Sequence, residues 1–193
     1  FYIDYMEETT TTDYEQRPTI VLIGASAEDT QSLYELIKEI PQQSNNAYII
    51  SPLLSNGHTD QLLSSLQDSS CLPVVLVEDK SVLQPNHLYL GAPSLFLSYD
   101  GKMLLASPAR PAPTHDTPID HLFRSVAMHN REKSAGIILS GPGTDGVLGV
   151  RAIRREGGLT IAQSTEEAPL KEKPKAAVLS GLVDGVLPLK MLI

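Results

Sequence analysis

The chain of 193 residues carries 15 Lys and Arg against 23 Asp and Glu, a formal net charge of -8, with a hydrophobic fraction of 41%. A chain this long suits one hydrophobic core, and its acidity argues against a nucleic-acid partner, because binding to phosphates rests on basic side chains that displace counterions. No apolar run approaches the roughly 20 residues that span a bilayer, and the single cysteine, Cys71, excludes an internal disulfide and a Cys-based metal cluster. The expectation is a cytoplasmic protein with no membrane insertion. No basic-then-apolar signal follows Phe1, and the chain reads as an excerpt of a longer protein.

Residues 1–17 hold a Thr run and several acids with few aliphatics, and are expected to form a linker or arm. The domain is expected to occupy residues 18–193. Thr19-Ile20-Val21-Leu22-Ile23 is a continuous β-branched run ending at Gly24, as in a strand buried on both faces of a parallel sheet. Leu33, Leu36, Ile37 and Ile40 then follow helical spacing up to Pro41, and Tyr48-Ile49-Ile50 completes a strand-helix-strand unit. Leu62, Leu63 and Leu66 give the next helix face and Pro73–Val77 the next strand. Between Leu88 and Leu105 the pattern predicts two short antiparallel strands around Tyr99-Asp100-Gly101-Lys102, and the Pro-rich stretch 107–118 predicts a surface loop.

Thr117 is the expected N-cap of a helix with Pro118 at its first position and Ile119, Leu122, Phe123 and Val126 on its buried face. Ala135–Leu139 is a second buried strand, running into Ser140-Gly141-Pro142-Gly143-Thr144-Asp145-Gly146 and then a helix that stops at Gly157-Gly158. Leu159–Ala162, a helix through Ala176 and Ala177, and a strand at Leu182-Val183-Asp184 complete the alternation. The fold class is therefore α/β: a doubly wound, mostly parallel sheet with helices on both faces and a small antiparallel hairpin insertion.

Two turns follow buried strands and open helices, where open α/β sheets put their ligands. One holds Gly24-Ala25-Ser26-Ala27 and the other Asp145. A Ser on such a turn projects its hydroxyl beyond the sheet edge and suits nucleophilic acyl chemistry. It equally serves as a helix N-cap, the commoner use of Ser at that place. An acid near a helix N-terminus, such as Asp145, is favoured by the dipole without any catalysis. Nucleotide binding is disfavoured because the first turn lacks the second and third glycines of a dinucleotide motif and carries Glu28 and Asp29 instead.

Taken in order, Gly24–Ala27, Pro118–Ala127, Ile138–Gly149, Gly157–Gln163 and Ala176-Ala177 through Gly181–Leu189 resemble the CheB methylesterase domain of chemotaxis, in the style of the subgroup fused to a CheR methyltransferase. The resemblance spans Pro18 to Leu189. It implies a Ser-His-Asp triad that hydrolyses glutamyl methyl esters, and deamidates glutamines, on the cytoplasmic domain of methyl-accepting chemoreceptors, with no cofactor. It also admits an upstream receiver or fused methyltransferase domain. Ser26 then matches the nucleophile and Asp145 the acid that orients the histidine.

The histidine position itself falls on Leu53 in Pro52-Leu53-Leu54-Ser55-Asn56-Gly57-His58, and Leu53 is expected to pack near Ser26. A leucine accepts no proton, and losing one triad member removes several powers of ten in rate. His58, five residues on, is the candidate replacement base under a shifted register. Three more departures gather at the same site: Glu28-Asp29 in place of a glycine pair, Pro142 without an N–H, and Lys173-Pro174 in place of Met-Pro. His87, His115, His121 and His129 lack the spacing of a zinc helix, and no metal is expected. Two functions stay open: a receptor methylesterase using Ser26, Asp145 and His58, and a degenerate binding or regulatory module that has lost turnover.

Overall fold

A computed structural model describes residues 17–51, 59–92, 94–108 and 117–193. Leu53, His58 and His115, and with them the expected packing of Leu53 on Ser26, lie outside the described residues.

Strand β1 (Thr19–Gly24) lies at the middle of a seven-stranded sheet ordered β10-β9-β8-β1-β2-β5-β3. Its partners are β2 (Asn46–Ile50) and β8 (Ser134–Ile138), with β5 (His87–Gly91) and β3 (Val74–Val77) beyond one and β9 (Leu159–Gln163) and β10 (Gly185–Leu187) beyond the other. All the pairings in this sheet are parallel. Because successive side chains of β1 point to opposite covered faces, Ile20, Val21, Leu22 and Ile23 are all apolar and buried. Ile20 and Leu22 join one core with helix α3 (Pro118–Asn130), α4 (Val147–Arg155) and α5 (Glu172–Leu179). Val21 and Ile23 join the other with α1 (Thr30–Glu39) and Leu62 and Leu66 of α2 (Thr59–Ser69). The sheet is covered on both faces, as expected.

Three details differ from the sequence reading. The run at Leu88 belongs to the parallel sheet, where β5 slots between β2 and β3, so the antiparallel part begins later than expected. That part is a separate three-stranded sheet, β4-β7-β6: the foreseen hairpin of β6 (Leu95–Tyr99) and β7 (Met103–Pro108) gains an unforeseen third strand, β4 (Lys80–Val82). Gly101, with φ +95°, sits in its turn. The last strand is Gly185–Leu187 instead of Leu182–Asp184; just before it the Asp184 carboxylate accepts from the Thr160 amide and hydroxyl at 2.9 and 2.8 Å, and the Asp184 amide donates to the Thr160 carbonyl at 2.7 Å.

Candidate functional site

The chain goes from β1 to β2 on one side and returns only at β8 on the other, so the strand order reverses at β1 and β8. Their carboxyl ends stand side by side: Gly24 registers with Ile138, and the Leu139 amide donates to the Gly24 carbonyl at 2.9 Å. The Ser26 turn and the turn leading to Asp145 therefore flank one crevice at the topological switch point, the position at which open α/β sheets bind ligands.

Ser26 is only 3% exposed. Its hydroxyl donates to the carboxylate of Glu28, whose own amide points back at Ser26 Oγ from 3.4 Å. The hydroxyl bond is the main reason that the Glu28 carboxyl is held below its usual range. Helix capping does not fall to Ser26. Asp29 is the N-cap of α1 and accepts from the Ser32 amide at 3.2 Å and the Ser32 hydroxyl at 2.6 Å. Burial pushes the Asp29 carboxyl up, but hydrogen bonds from Ser140, Ser32 and Gln31 outweigh it and leave the group lowered. The two acids of this turn thus do different work: Asp29 is buried structure, and exposed Glu28 faces the serine.

The turn after β8 presses closely on Ser26. A Cβ on Gly141 would lie 2.7 Å from Ser26 Cβ and 3.0 Å from Lys173 Nζ, so only glycine fits between them. The turn is tied to Leu170 and to the start of α5 by four bonds: the Gly141 amide to the Leu170 carbonyl, the Lys173 amide to the Gly141 carbonyl (both 2.9 Å), the Leu170 amide to Ser140 Oγ at 3.0 Å, and the Ser140 hydroxyl to the Leu170 carbonyl at 3.2 Å. Gln163, at the end of β9, accepts from the Ser140 amide at 2.7 Å.

Lys173, expected at this site as a departure from the family pattern, makes contacts that the sequence did not disclose. It is 3% exposed, and its ammonium donates to the Ala25 carbonyl at 2.8 Å, directly behind Ser26. Burial lowers the ammonium's pKa, while the charges of Asp145 and Glu28 act to raise it. One signal was available: Lys173 stands in the first turn of α5, where the helix dipole disfavours a cation.

Asp145 is committed to α3. Its carboxylate accepts from the Thr117 hydroxyl, from the Ile119 amide at 3.1 Å and from the Asp120 amide at 3.0 Å. Thr117 occupies the N-cap position as expected, but its side chain makes no capping bond and the orphan amides are satisfied by Asp145. The neighbouring Asp120, 5% exposed, accepts from the Gly149 amide at 2.7 Å; burial first, and the Asp145 charge second, raise its pKa.

No described imidazole bonds to Ser26. His87 Nδ1 lies 3.0 Å from the Pro85 carbonyl, His121 packs on Phe96, and His129 meets Ser125 and the edge of Tyr99. A small, largely apolar cleft beside Ser26 is lined by Leu33, Ile50, Leu62 and Leu90 together with Ser51. The Ser51 hydroxyl is fully buried at the end of β2 and has no hydrogen-bond partner among the described residues.

The comparisons agree with this architecture. The CheB methylesterase family model matches residues 21–193. Over 174 residues the chain is 33% identical to a protein-glutamate methylesterase/protein-glutamine glutaminase of Burkholderia pseudomallei, covering 90% of this chain and 51% of the relative. A protein of the same name in Carboxydothermus hydrogenoformans is 34% identical over 176 residues, covering 88% and 52%. The chain thus spans about half the length of the curated relatives it matches. The crystal structure of the Thermotoga maritima CheB methylesterase catalytic domain superposes with a TM-score of 0.81 at 26% identity, covering 90% of this chain and 94% of that one. On fold and sequence together, the chain belongs to the CheB methylesterase family.

Proposed function

We propose that this domain engages the cytoplasmic part of chemoreceptors as a CheB-type module in chemotaxis signalling and has lost methyl-ester and glutamine turnover. The observation that carries this reading is the hydrogen bond from the Ser26 hydroxyl to Glu28. Acyl transfer needs a base near neutrality to take the serine proton and donors for the oxyanion that follows. A carboxylate held below its ordinary range is a weak base, and its charge opposes an oxyanion forming next to it. The leucine that the family pattern puts at the histidine position, and the use of Asp145 as a helix cap, support the same conclusion. On this reading the domain works in the cytoplasm, beside a receiver or methyltransferase domain in the full protein.

The competing reading, a working hydrolase, draws on the burial of Ser26 at the switch point next to a cleft. Methanol release from methylated receptors separates the two. The expected result is receptor binding with no release above that of Ser26→Ala. Release that Ser26→Ala abolishes would overturn the proposal.

A further inference from the structure

Helices α3 and α4 pack against each other and leave a cleft of about 230 Å³ on their outer side, lined by Arg124, Leu148, Arg151, Ala152 and Arg155. Among the described residues the lining contains three guanidinium groups and no carboxylate, in a chain whose formal net charge is -8. Helix-end electrostatics account for part of this, since arginines in the last turn of α4 complement its dipole. That accounts for Arg154, which is paired with Asp184, and for Arg155, but not for Arg151 in the middle of α4 or Arg124 on a different helix. Among the described residues no carboxylate is ion-paired with Arg151 or Arg155. Leu148, 45% exposed, adds an apolar element to the basic wall. Three like charges around an exposed leucine fit an acidic segment that also carries apolar side chains.

Such a segment stands at the start of the chain. Residues 1–16 hold Asp4, Glu7, Glu8, Asp13 and Glu15, have no Lys or Arg, and carry aromatic and aliphatic side chains among the acids. The segment joins the described domain at the right end of the molecule. Arg17 donates to the His129 carbonyl in the last turn of α3 at 3.2 Å, and Lys133 Nζ donates to the Arg17 carbonyl at 3.3 Å. The C-terminal end of α4 lies at this same end, because a Cβ on Gly157 would sit 3.6 Å from Glu132 Cβ. Sixteen residues reach up to about 50 Å when extended, far more than the few turns of helix that separate Arg17 from the cleft.

We propose that the acidic segment Asp4–Glu15 of this chain docks on the arginine-lined cleft between α3 and α4. The attraction is electrostatic and exposed, so it weakens as salt rises.

Paramagnetic relaxation in the full chain tests this, with Cys71→Ser and a nitroxide on Thr10→Cys. The expected result is broadening of the α4 amides at low salt that disappears in Arg151→Glu/Arg155→Glu. It should return when Asp4, Glu7 and Glu8 are also changed to Lys. Absent broadening, or broadening that survives the arginine reversal, overturns the proposal. So does broadening seen only between separate labelled and isotope-enriched molecules, which would make a second copy the occupant.

Discussion

Lys173 donates its ammonium to the carbonyl oxygen of Ala25 at 2.8 Å, so a buried cation fixes the backbone immediately before Ser26. Because burial lowers the folded-state pKa of this amine, the folded protein releases its proton at a lower pH than the unfolded chain does. Stability then rises with pH from the depressed value up to the ordinary lysine value of about 10.4. The stability of the wild type relative to Lys173→Met is therefore expected to increase between neutral and strongly alkaline pH. Urea unfolding at several pH values measures it, and a flat difference would show that the ammonium is not penalised by burial.

Asp29 gives the opposite slope. Its folded-state pKa is lowered, so its stabilising contribution is complete above about pH 3.9 and is lost as pH falls through the folded value. Asp29→Ala removes an N-cap and is expected to cost about 1 kcal/mol at neutral pH. The gap between wild type and variant should close in acid. If Ser26 were the cap instead, Ser26→Ala would cost more than Asp29→Ala in the same urea titrations.

Asp145 is the residue for which family resemblance and structure suggest different experiments. A carboxylate kept only to orient an imidazole is a net burden on stability, so its removal leaves the fold unharmed or firmer. A carboxylate that satisfies the Ile119 and Asp120 amides is part of the fold. Asp145→Ala is expected to lower stability by roughly 1–3 kcal/mol, the cost of losing a cap and leaving buried donors unpaired. Asp145→Asn, which keeps one oxygen acceptor, should cost less. Thermal or urea unfolding of both variants decides.

These three residues show what could be read from the chain and what could not. Strands β1, β2 and β8 were legible because burial on both faces demands unbroken apolar runs, a local property. The place of β5 between β2 and β3 was not, since an apolar run at Leu88 says nothing of which strand it will pair with. At the site, Ser26 and Asp145 were found as positions, because strand-turn-helix junctions are written in local sequence. Their partners were not. Glu28 and Lys173 were placed at the site only as departures from the family pattern, and their bonds to the Ser26 hydroxyl and the Ala25 carbonyl arise where the turn at Gly141 brings β1, β8 and α5 together.

Gly141 therefore offers the sharpest test of the site's geometry. A methyl group there would meet Ser26 Cβ at 2.7 Å and Lys173 Nζ at 3.0 Å, both on side chains that are only 3% exposed. The lysine end is flexible, but it is held by the Ala25 carbonyl, and Ser26 Cβ cannot withdraw without moving β1. Gly141→Ala is expected to destabilise by about 1–3 kcal/mol, the usual penalty of overpacking. Adding Lys173→Ala should recover part of that loss, because it empties one side of the clash while leaving Ser26 in place. If Gly141→Ala is neutral, the two turns do not approach as closely as described, and the contact between Ser26 and the Gly141 turn is wrong. A double-mutant cycle read by urea unfolding distinguishes the outcomes, since residues that share the gap must couple and residues that do not will simply add.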